Sequence, residues 1–293
     1  MLSPCAPARV SLVAAVAITA VLGAGRPAGA VAHGEAVADG SYAFSARLTS
    51  VGIPVAGGGT RDSWCSGALI ASRWVITAGH CFRDQDGMRV SRTVARETVV
   101  IVGRTDLTSQ TGQEAHVTAV RQAPGTDIAL VELDRNINGV SPLALSRSKP
   151  SIGEVVRLTG YGLTGVGGRA PDRLRTGRVG VDAVGATTVE VSGRSPRPDT
   201  SACPHDSGAP YFREPEGGRP QLVAVVSDGP SCPHAGADTA ARVDTAVDWI
   251  IATMGVPGAS FQAYAGEAFA AAMLAIAVLV VVLVRRRARR RQR

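Results

Sequence analysis

Three short stretches of the 293-residue chain carry side chains that could do chemistry together. Thr77-Ala78-Gly79-His80-Cys81 ends a β-rich run, and Thr126-Asp127-Ile128-Ala129-Leu130 begins one. Cys203-Pro204-His205-Asp206-Ser207-Gly208-Ala209-Pro210 is a turn leading into another. A serine hydroxyl is a poor nucleophile alone. It needs a base to take its proton, and the base needs a carboxylate that fixes its tautomer and stabilises its cation. Singly, His80 reads as a packed imidazole, Asp127 as a turn cap and Ser207 as a turn hydroxyl. Together, in the order His, Asp, Ser, they point to nucleophilic acyl transfer. Gly160-Tyr161-Gly162-Leu163-Thr164-Gly165 matches the dinucleotide fingerprint G-x-G-x-x-G. A helix would have to start there to hold the pyrophosphate, and Val166-Gly167-Gly168-Arg169-Ala170-Pro171 cannot start one cleanly. These glycines read as turns, and no cofactor is predicted.

The elements that would position these residues are mostly strands. Short β-rich runs fall at Tyr42–Leu48, Ser66–Ile70, Trp74–Ala78, Thr98–Val102, Ile128–Leu133, Glu154–Leu158, Thr188–Val191, Ala209–Phe212 and Gln221–Val226, separated by Gly/Pro-rich turns. Many short strands at such spacing predict an all-β sandwich or barrel. One segment differs: Val243, Val247, Ile250, Ile251 and Met254 share a helical face, with Asp244 as the expected cap and Gly255 and Pro257 as the stop.

Composition sets the class. The chain is 45% hydrophobic and 19% charged, which excludes global disorder. Of 31 basic residues only Lys149 is lysine, an arginine-, alanine- and glycine-rich make-up suggesting a GC-rich bacterial coding sequence. The net charge of +7 suggests nucleic acid, but its distribution does not. Seven arginines lie in 285–293 and two more are Arg9 and Arg26, leaving 22 basic residues against all 24 acidic ones between 31 and 267. A nucleic-acid-binding domain should carry its basic surplus in its folded part.

The surplus marks membrane addressing instead. Arg9, the apolar stretch Val10–Leu22 and Ala28-Gly29-Ala30 have the pattern of a secretory signal peptide over residues 1–30. Residues 268–284 carry no charge over 17 positions, a span of roughly 25 Å as a helix and at the short end for a membrane crossing. The basic tail 285–293 follows and should stay cytoplasmic. The predicted organisation is signal peptide 1–30, domain 31–254, linker 255–267, transmembrane helix 268–284 and cytoplasmic tail 285–293. The body would be extracellular on a single-pass anchor in the cell membrane. Once Cys5 leaves with the signal peptide, Cys65, Cys81, Cys203 and Cys232 remain, an even count in an exported chain that suggests two disulfides in any of three pairings. No spacing fits a metal site.

The combination resembles the chymotrypsin-like (trypsin-like) serine proteases across about residues 31 to 254. Cys65-Ser66-Gly67 before Trp74-Val75-Ile76-Thr77-Ala78-Gly79-His80-Cys81 is similar to the segment around the family's catalytic histidine. Asp127-Ile128-Ala129-Leu130 is similar to its aspartate segment and Asp206-Ser207-Gly208 to its nucleophile loop. Gly160-Tyr161-Gly162 looks like its Gly-Trp-Gly turn, and Ser227-Asp228-Gly229 like its substrate-binding Ser-Trp-Gly strand. The resemblance implies two antiparallel six-stranded β-barrels with the site between them, and the pairings Cys65–Cys81 and Cys203–Cys232. It further implies an oxyanion hole from the backbone N–H groups of His205 and Ser207, a protein or peptide substrate, and no cofactor.

In the family the pocket floor lies six residues before the nucleophile, here Ser201, which implies neutral or aromatic substrate side chains. The same alignment puts Asp238 near that floor, which implies basic ones, and Asp238 tips the expectation toward Arg or Lys. Val31-Ala32-His33-Gly34 stands at the family's activating N-terminus, so Val31 should pair with Asp206, with signal peptidase itself freeing the terminus. Departures are His205 and His33 at glycine positions, Ala209 for the second glycine after the serine, and Asp228 for a cleft tryptophan. A side chain at φ > 0 costs about 1–2 kcal/mol. A lost oxyanion donor costs about 3–4 kcal/mol. Both fall below the acceleration of at least about 8 kcal/mol that an enzyme supplies. The resemblance therefore implies a membrane-tethered serine endopeptidase. The alternative is a catalytically silent homologue serving as a cell-surface binding module.

Overall fold

Six strands build the first half. In the computed structural model, which describes residues 31–163 and 170–255, these are β2 (Ser45–Pro54), β3 (Thr60–Ala71), β4 (Trp74–Ala78), β5 (Glu97–Val102), β6 (Gln113–Gln122) and β7 (Ile128–Leu133); burial alternates along β2, β5 and β6 and is nearly continuous along β4, β7 and the second half of β3. They close in the order β2-β3-β4-β7-β6-β5, all antiparallel, so no edge is left unpaired. Leu48, Leu69, Ile76, Val100, Ile128 and Leu130 fill the interior. β1 (Glu35–Ala36) pairs outside this barrel, with the second half.

The second barrel is β9 (Val155–Gly160), β10 (Arg175–Val184), β11 (Thr188–Ser195), β14 (Asp238–Arg242), β13 (Gln221–Asp228) and β12 (Pro210–Arg213), closed by the β9–β10 and β9–β12 pairings. β1 pairs with Arg175 and Thr176 at the start of β10, before the stretch that β11 covers, and β8 (Ala144–Leu145) lies parallel to β13. Its core is lined with smaller residues, chiefly Val156, Val179, Val181, Val189, Val191 and Ala224 around Tyr211. The barrels meet where Phe212 packs edge-on to Phe44 at 5.1 Å between ring centroids. The predicted all-β pair of six-stranded barrels is therefore present.

Apart from the two-residue strands β1 and β8, three strands were not legible. β6 has its alternation broken by a register shift between Val117 and Ala119. β10 carries Gly177 and Gly180, where a Cβ would strike Thr200 Cγ2 at 2.4 Å and Arg194 Nε at 2.5 Å. β14 is a short Asp-Thr-Ala-Ala-Arg run with little β propensity of its own. The predicted strand at Tyr42 starts only at Ser45, because Tyr42 sits in a turn with φ 50°.

The one α-helix among the described residues, α1 (Val247–Thr253), is shorter than predicted. Asp244 does not cap it: its carboxylate accepts two hydrogen bonds from Arg242, at 3.1 and 2.6 Å, and Ala246 stands at the cap. Gly255, at φ 65°, ends the helix as expected. Among the described residues no helix is long and apolar enough to cross a membrane. The predicted signal peptide 1–30, the transmembrane helix 268–284, the tail 285–293 and all of the linker after Gly255 lie outside the described residues.

Candidate active site

The three chemical stretches converge between the barrels. His80 sits in a 3-10 turn, Gly79–Cys81, directly after β4, and Asp127 immediately precedes β7, the strand paired with β4. That pairing sets their register: His80 N–H donates to Asp127 Oδ1 at 2.9 Å, and His80 Nδ1 meets Asp127 Oδ2 at 2.7 Å. On the other side His80 Nε2 lies 2.7 Å from Ser207 Oγ. Ser227 Oγ–H donates to Asp127 Oδ2 at 2.6 Å, a contact that joins β13 to the first barrel. Burial pushes the Asp127 carboxyl up, but the His80 hydrogen bonds and charge and the Ser227 hydroxyl outweigh it and hold it at about 2. Arg89, which nothing in the sequence singles out, donates to Thr126 O at 2.5 Å and lies 3.5 Å from Asp127 Oδ1.

The nucleophile turn is pinned from the first barrel by Ser66 of β3. Ser66 N–H donates to Ser207 O at 3.0 Å, Ser66 Oγ–H to His205 O at 3.1 Å, and Thr77 Oγ1–H to Ser66 O at 2.7 Å. The bridge Cys65–Cys81 ties β3 to the turn holding His80, and Cys203–Cys232 anchors the start of the nucleophile turn. Both pairings implied by the resemblance are thus present. Gly208, at φ 82°, passes so close to β4 that a Cβ would lie 2.1 Å from Thr77 Oγ1.

His205 takes φ 75°, the left-handed region where a side chain costs about 1–2 kcal/mol. Its imidazole stacks on Trp64 with centroids 3.6 Å apart, and Nδ1–H donates to Trp64 O at 2.8 Å. Stacking is worth about 0.5–1.5 kcal/mol beyond burial, enough to offset most of that strain. Burial also pushes the His205 imidazole below its ordinary range. His33, the other histidine at a glycine position, has φ 55° and pairs with Asp199 at 2.9 Å.

Asp206 is fully buried. Its Oδ1 accepts from Gly162 N–H at 2.8 Å, and its Oδ2 from Cys203 N–H at 3.0 Å and Val31 N–H at 3.3 Å. Burial raises its carboxyl to about 7 against these three amides. Gly160 and Gly162 are therefore not turn residues in the sense read from the sequence. Gly160 is the last residue of β9, and a Cβ there would sit 2.1 Å from Asp206 Oδ1, while one at Gly162 would sit 2.4 Å from Asp206 Cγ. The glycines make room for a carboxylate.

A cavity of about 290 Å³ opens beside Ser207. Ser227, Asp228, Gly229 and Asp238 line it, as the resemblance implied, but Ser201 does not. Ser201 is buried behind the wall, where its backbone pairs with Ala32 and its Oγ accepts from His234 N–H at 3.3 Å. Asp238 is 2% exposed and its partners are Ala202 N–H at 2.9 Å, Tyr211 Oη–H at 3.4 Å and His234 Nε2 at 3.1 Å. His234 left no signal in the sequence beyond a lone histidine in a Pro/Gly-rich loop.

The arrangement defines a class: a two-barrel fold with a serine, a histidine and an aspartate in one hydrogen-bonded line. The family model described as Trypsin matches residues 32–250, and the chain belongs to the trypsin family of serine proteases. Serine protease SP24D of Anopheles gambiae is 31% identical over 204 residues, covering 65% of this chain and 72% of that protein. Trypsin-1 of Astacus astacus is 27% identical, covering 64% of this chain and 86% of its own length. The Suppressor of tumorigenicity 14 protein homolog of Bos taurus is 28% identical over 66% of this chain, which spans 25% of that longer protein. Among solved structures, neuropsin, a serine protease of mouse brain, shares the fold with a TM-score of 0.61 at 23% identity, covering 76% of this chain and 100% of that one.

Proposed function

We propose that the protein is a bacterial, exported serine endopeptidase whose mature chain starts at Val31 and is held on the outer face of the cell membrane by residues 268–284. Ser207 attacks the scissile carbonyl while His80 takes its proton. His80 then returns that proton to the leaving amine, and Asp127 orients the imidazole and stabilises its cation. The backbone N–H groups of His205 and Ser207 receive the oxyanion. The observation that carries this reading is the imidazole of His80 set 2.7 Å from both Ser207 Oγ and Asp127 Oδ2. The Val31 ammonium freed by signal peptidase replaces the peptide N–H beside Asp206, supplying a buried partner charge that orders the nucleophile turn. The primary pocket, with Asp238 in its wall, selects Arg or Lys.

The test is labelling with a fluorophosphonate, which reacts only with an activated serine. The exported protein should label and Ser207→Ala should not. An unlabelled, well-folded protein would favour the silent surface-binding homologue instead. N-terminal sequencing that finds a start other than Val31 would remove the activation step. Shaving of intact cells with an external protease should release the domain and spare a tag on the tail; degradation of that tag would reverse the topology.

A further inference from the structure

The Asp238 carboxylate is not a bare anion at the bottom of the pocket. It reaches across toward Gly229, where an added Cβ would lie 2.2 Å from Asp238 Oδ1, so that only glycine leaves room for it. Behind it stands His234, whose side chain is 10% exposed and does not line the cavity. Both ring nitrogens of His234 face acceptors: Nδ1 lies 3.0 Å from Gly236 O, and Nε2 lies 3.1 Å from Asp238 Oδ1. A backbone carbonyl only accepts, so Nδ1 carries a proton. A neutral imidazole has one N–H and would turn a lone pair toward the carboxylate. The contact is satisfied only when a second proton lies between Nε2 and Oδ1. That shared proton leaves the His234–Asp238 pair with no net charge. Burial, which raises the Asp238 carboxyl against its hydrogen bonds from Ala202, His234 and Tyr211, favours keeping it.

We propose that His234 is a specificity-determining residue that sets the charge of the primary pocket through the proton it shares with Asp238. With the proton in place the pocket takes a neutral substrate side chain; with it gone the pocket takes Arg or Lys. This deepens the peptidase reading above and rests on it. A guanidinium or ammonium entering the pocket replaces the proton as the partner of the carboxylate, and one proton leaves to solvent from Nε2. No bond to carbon is made or broken.

Other ionisable groups surround the pair. Tyr211 of β12 is held protonated by burial, well above the ordinary phenol range. Asp206, in the nucleophile turn, feels the charge of Asp238. Asp228 lies at the exposed rim of the cavity, and His80 faces it from the first barrel. The measurement must separate His234 from all four.

Two peptides differing only in the residue before the scissile bond, Arg in one and its uncharged near-isostere citrulline in the other, supply that separation. Any effect of pH on the acyl-transfer step is common to both peptides and cancels in the ratio of their kcat/KM values. In the wild-type chain the Arg/citrulline ratio should rise by about tenfold or more between about pH 5.5 and about pH 9. In His234→Asn the Asp238 carboxyl keeps only neutral donors, so any rise should follow that carboxyl alone and lie at a different pH from the wild-type one; Asp206, Asp228 and Tyr211, unchanged in this variant, could not move it. In Asp238→Asn the ratio should be low and flat. A wild-type ratio that does not change with pH overturns the proposal, as does a rise in His234→Asn at the same pH as in the wild type. Benzamidine binding to Ser207→Ala, followed by calorimetry, needs neither turnover nor a working triad. The amidine should bind about tenfold tighter at the upper pH and release a proton on binding at the lower. Binding that is independent of pH overturns the proposal. Failure of fluorophosphonate labelling with this pH-dependent binding intact would overturn only the peptidase reading.

Discussion

Asp127 beside the first barrel and Asp206 beside the second are both carboxylates that the surrounding protein takes out of water, and they end at opposite extremes. Asp127 meets an imidazole, a hydroxyl and a backbone N–H, and is held at about 2. Asp206 meets three backbone N–H groups and no cation, and rises to about 7. Asp206 is fully buried among neutral donors, whereas the Asp127 side chain stays 21% exposed and faces an imidazole able to carry positive charge, and both differences hold Asp127 lower. The aspartate beside the first barrel is already partnered, whereas Asp206 and Asp238 are the two carboxylates to which the proposals above assign a partner charge, the Val31 ammonium for one and a shared proton for the other.

The largest expected effect tests the partnered aspartate and its neighbours. Ser207→Ala or His80→Ala should lower kcat by about 10⁶ with unfolding little changed, and Asp127→Ala should lower it by about 10⁴ or more while also lowering stability near neutral pH. Steady-state kinetics beside urea melts checks this. A loss for Asp127→Ala as small as tenfold would mean that another group orients His80.

The Asp206 site breaks differently. A chain with one residue added before Val31 keeps a peptide N–H beside Asp206, and activity should fall by about a hundredfold or more, since an unpaired buried charge costs about 3–5 kcal/mol. Its stability should also vary with pH in a direction that follows from the raised carboxyl. The folded state then binds more protons than the unfolded state between the ordinary aspartate value of about 4 and about 7. Stability is therefore greatest at and below the lower value and falls as pH rises through the upper one. Asp127, held low, works in reverse: its contribution is present above about 4 and is lost as pH falls through about 2. In the chain starting at Val31 the ammonium lowers the Asp206 carboxyl and the decline toward neutral pH should vanish. Melting temperatures across this range, compared between the two chains, would refute the pairing if both declined alike.

Smaller effects refine the contrast. His205→Gly removes strain and the Trp64 stack together, so its stability should change by less than about 1 kcal/mol. His205→Ala keeps the strain and loses the stack, and should cost about 1–2 kcal/mol. If strain limits the rate, His205→Gly alone should turn over faster; an equal or lower rate excludes strain as the limit. Denaturant melts and kcat for both variants decide it. Asp244→Ala, which breaks a partly buried ion pair with Arg242 and no helix cap, should cost about 1 kcal/mol and leave activity unchanged.

Much of this molecule was legible because its chemistry is local in sequence. His80, Asp127 and Ser207 each sit at the end or beginning of a strand whose apolar run is plain, and β4 and β7 span the predicted residues. What escaped depends on which side chains meet once the chain is folded. β10 looks like a glycine-rich turn until Thr200 and Arg194 are seen to occupy the space that its glycines leave. Asp244 looks like a cap until Arg242 is seen to hold it from two residues away. Trp64, Arg89 and His234 act through contacts 141, 38 and 4 residues distant, and no spacing rule joins them to their partners.

The Gly160-Tyr161-Gly162 segment matters for inheritance as well as for chemistry. Each glycine is one base change from alanine, among the mildest substitutions by size and polarity. Here a single methyl would lie within 2.4 Å of the Asp206 carboxylate and displace it. Such an allele would retain every catalytic side chain, both disulfides and the whole match to its relatives. It would pass as intact by any inventory of residues while encoding a protein whose nucleophile turn is disturbed. Sequence variation at these two positions therefore carries weight alongside variation at Ser207 itself.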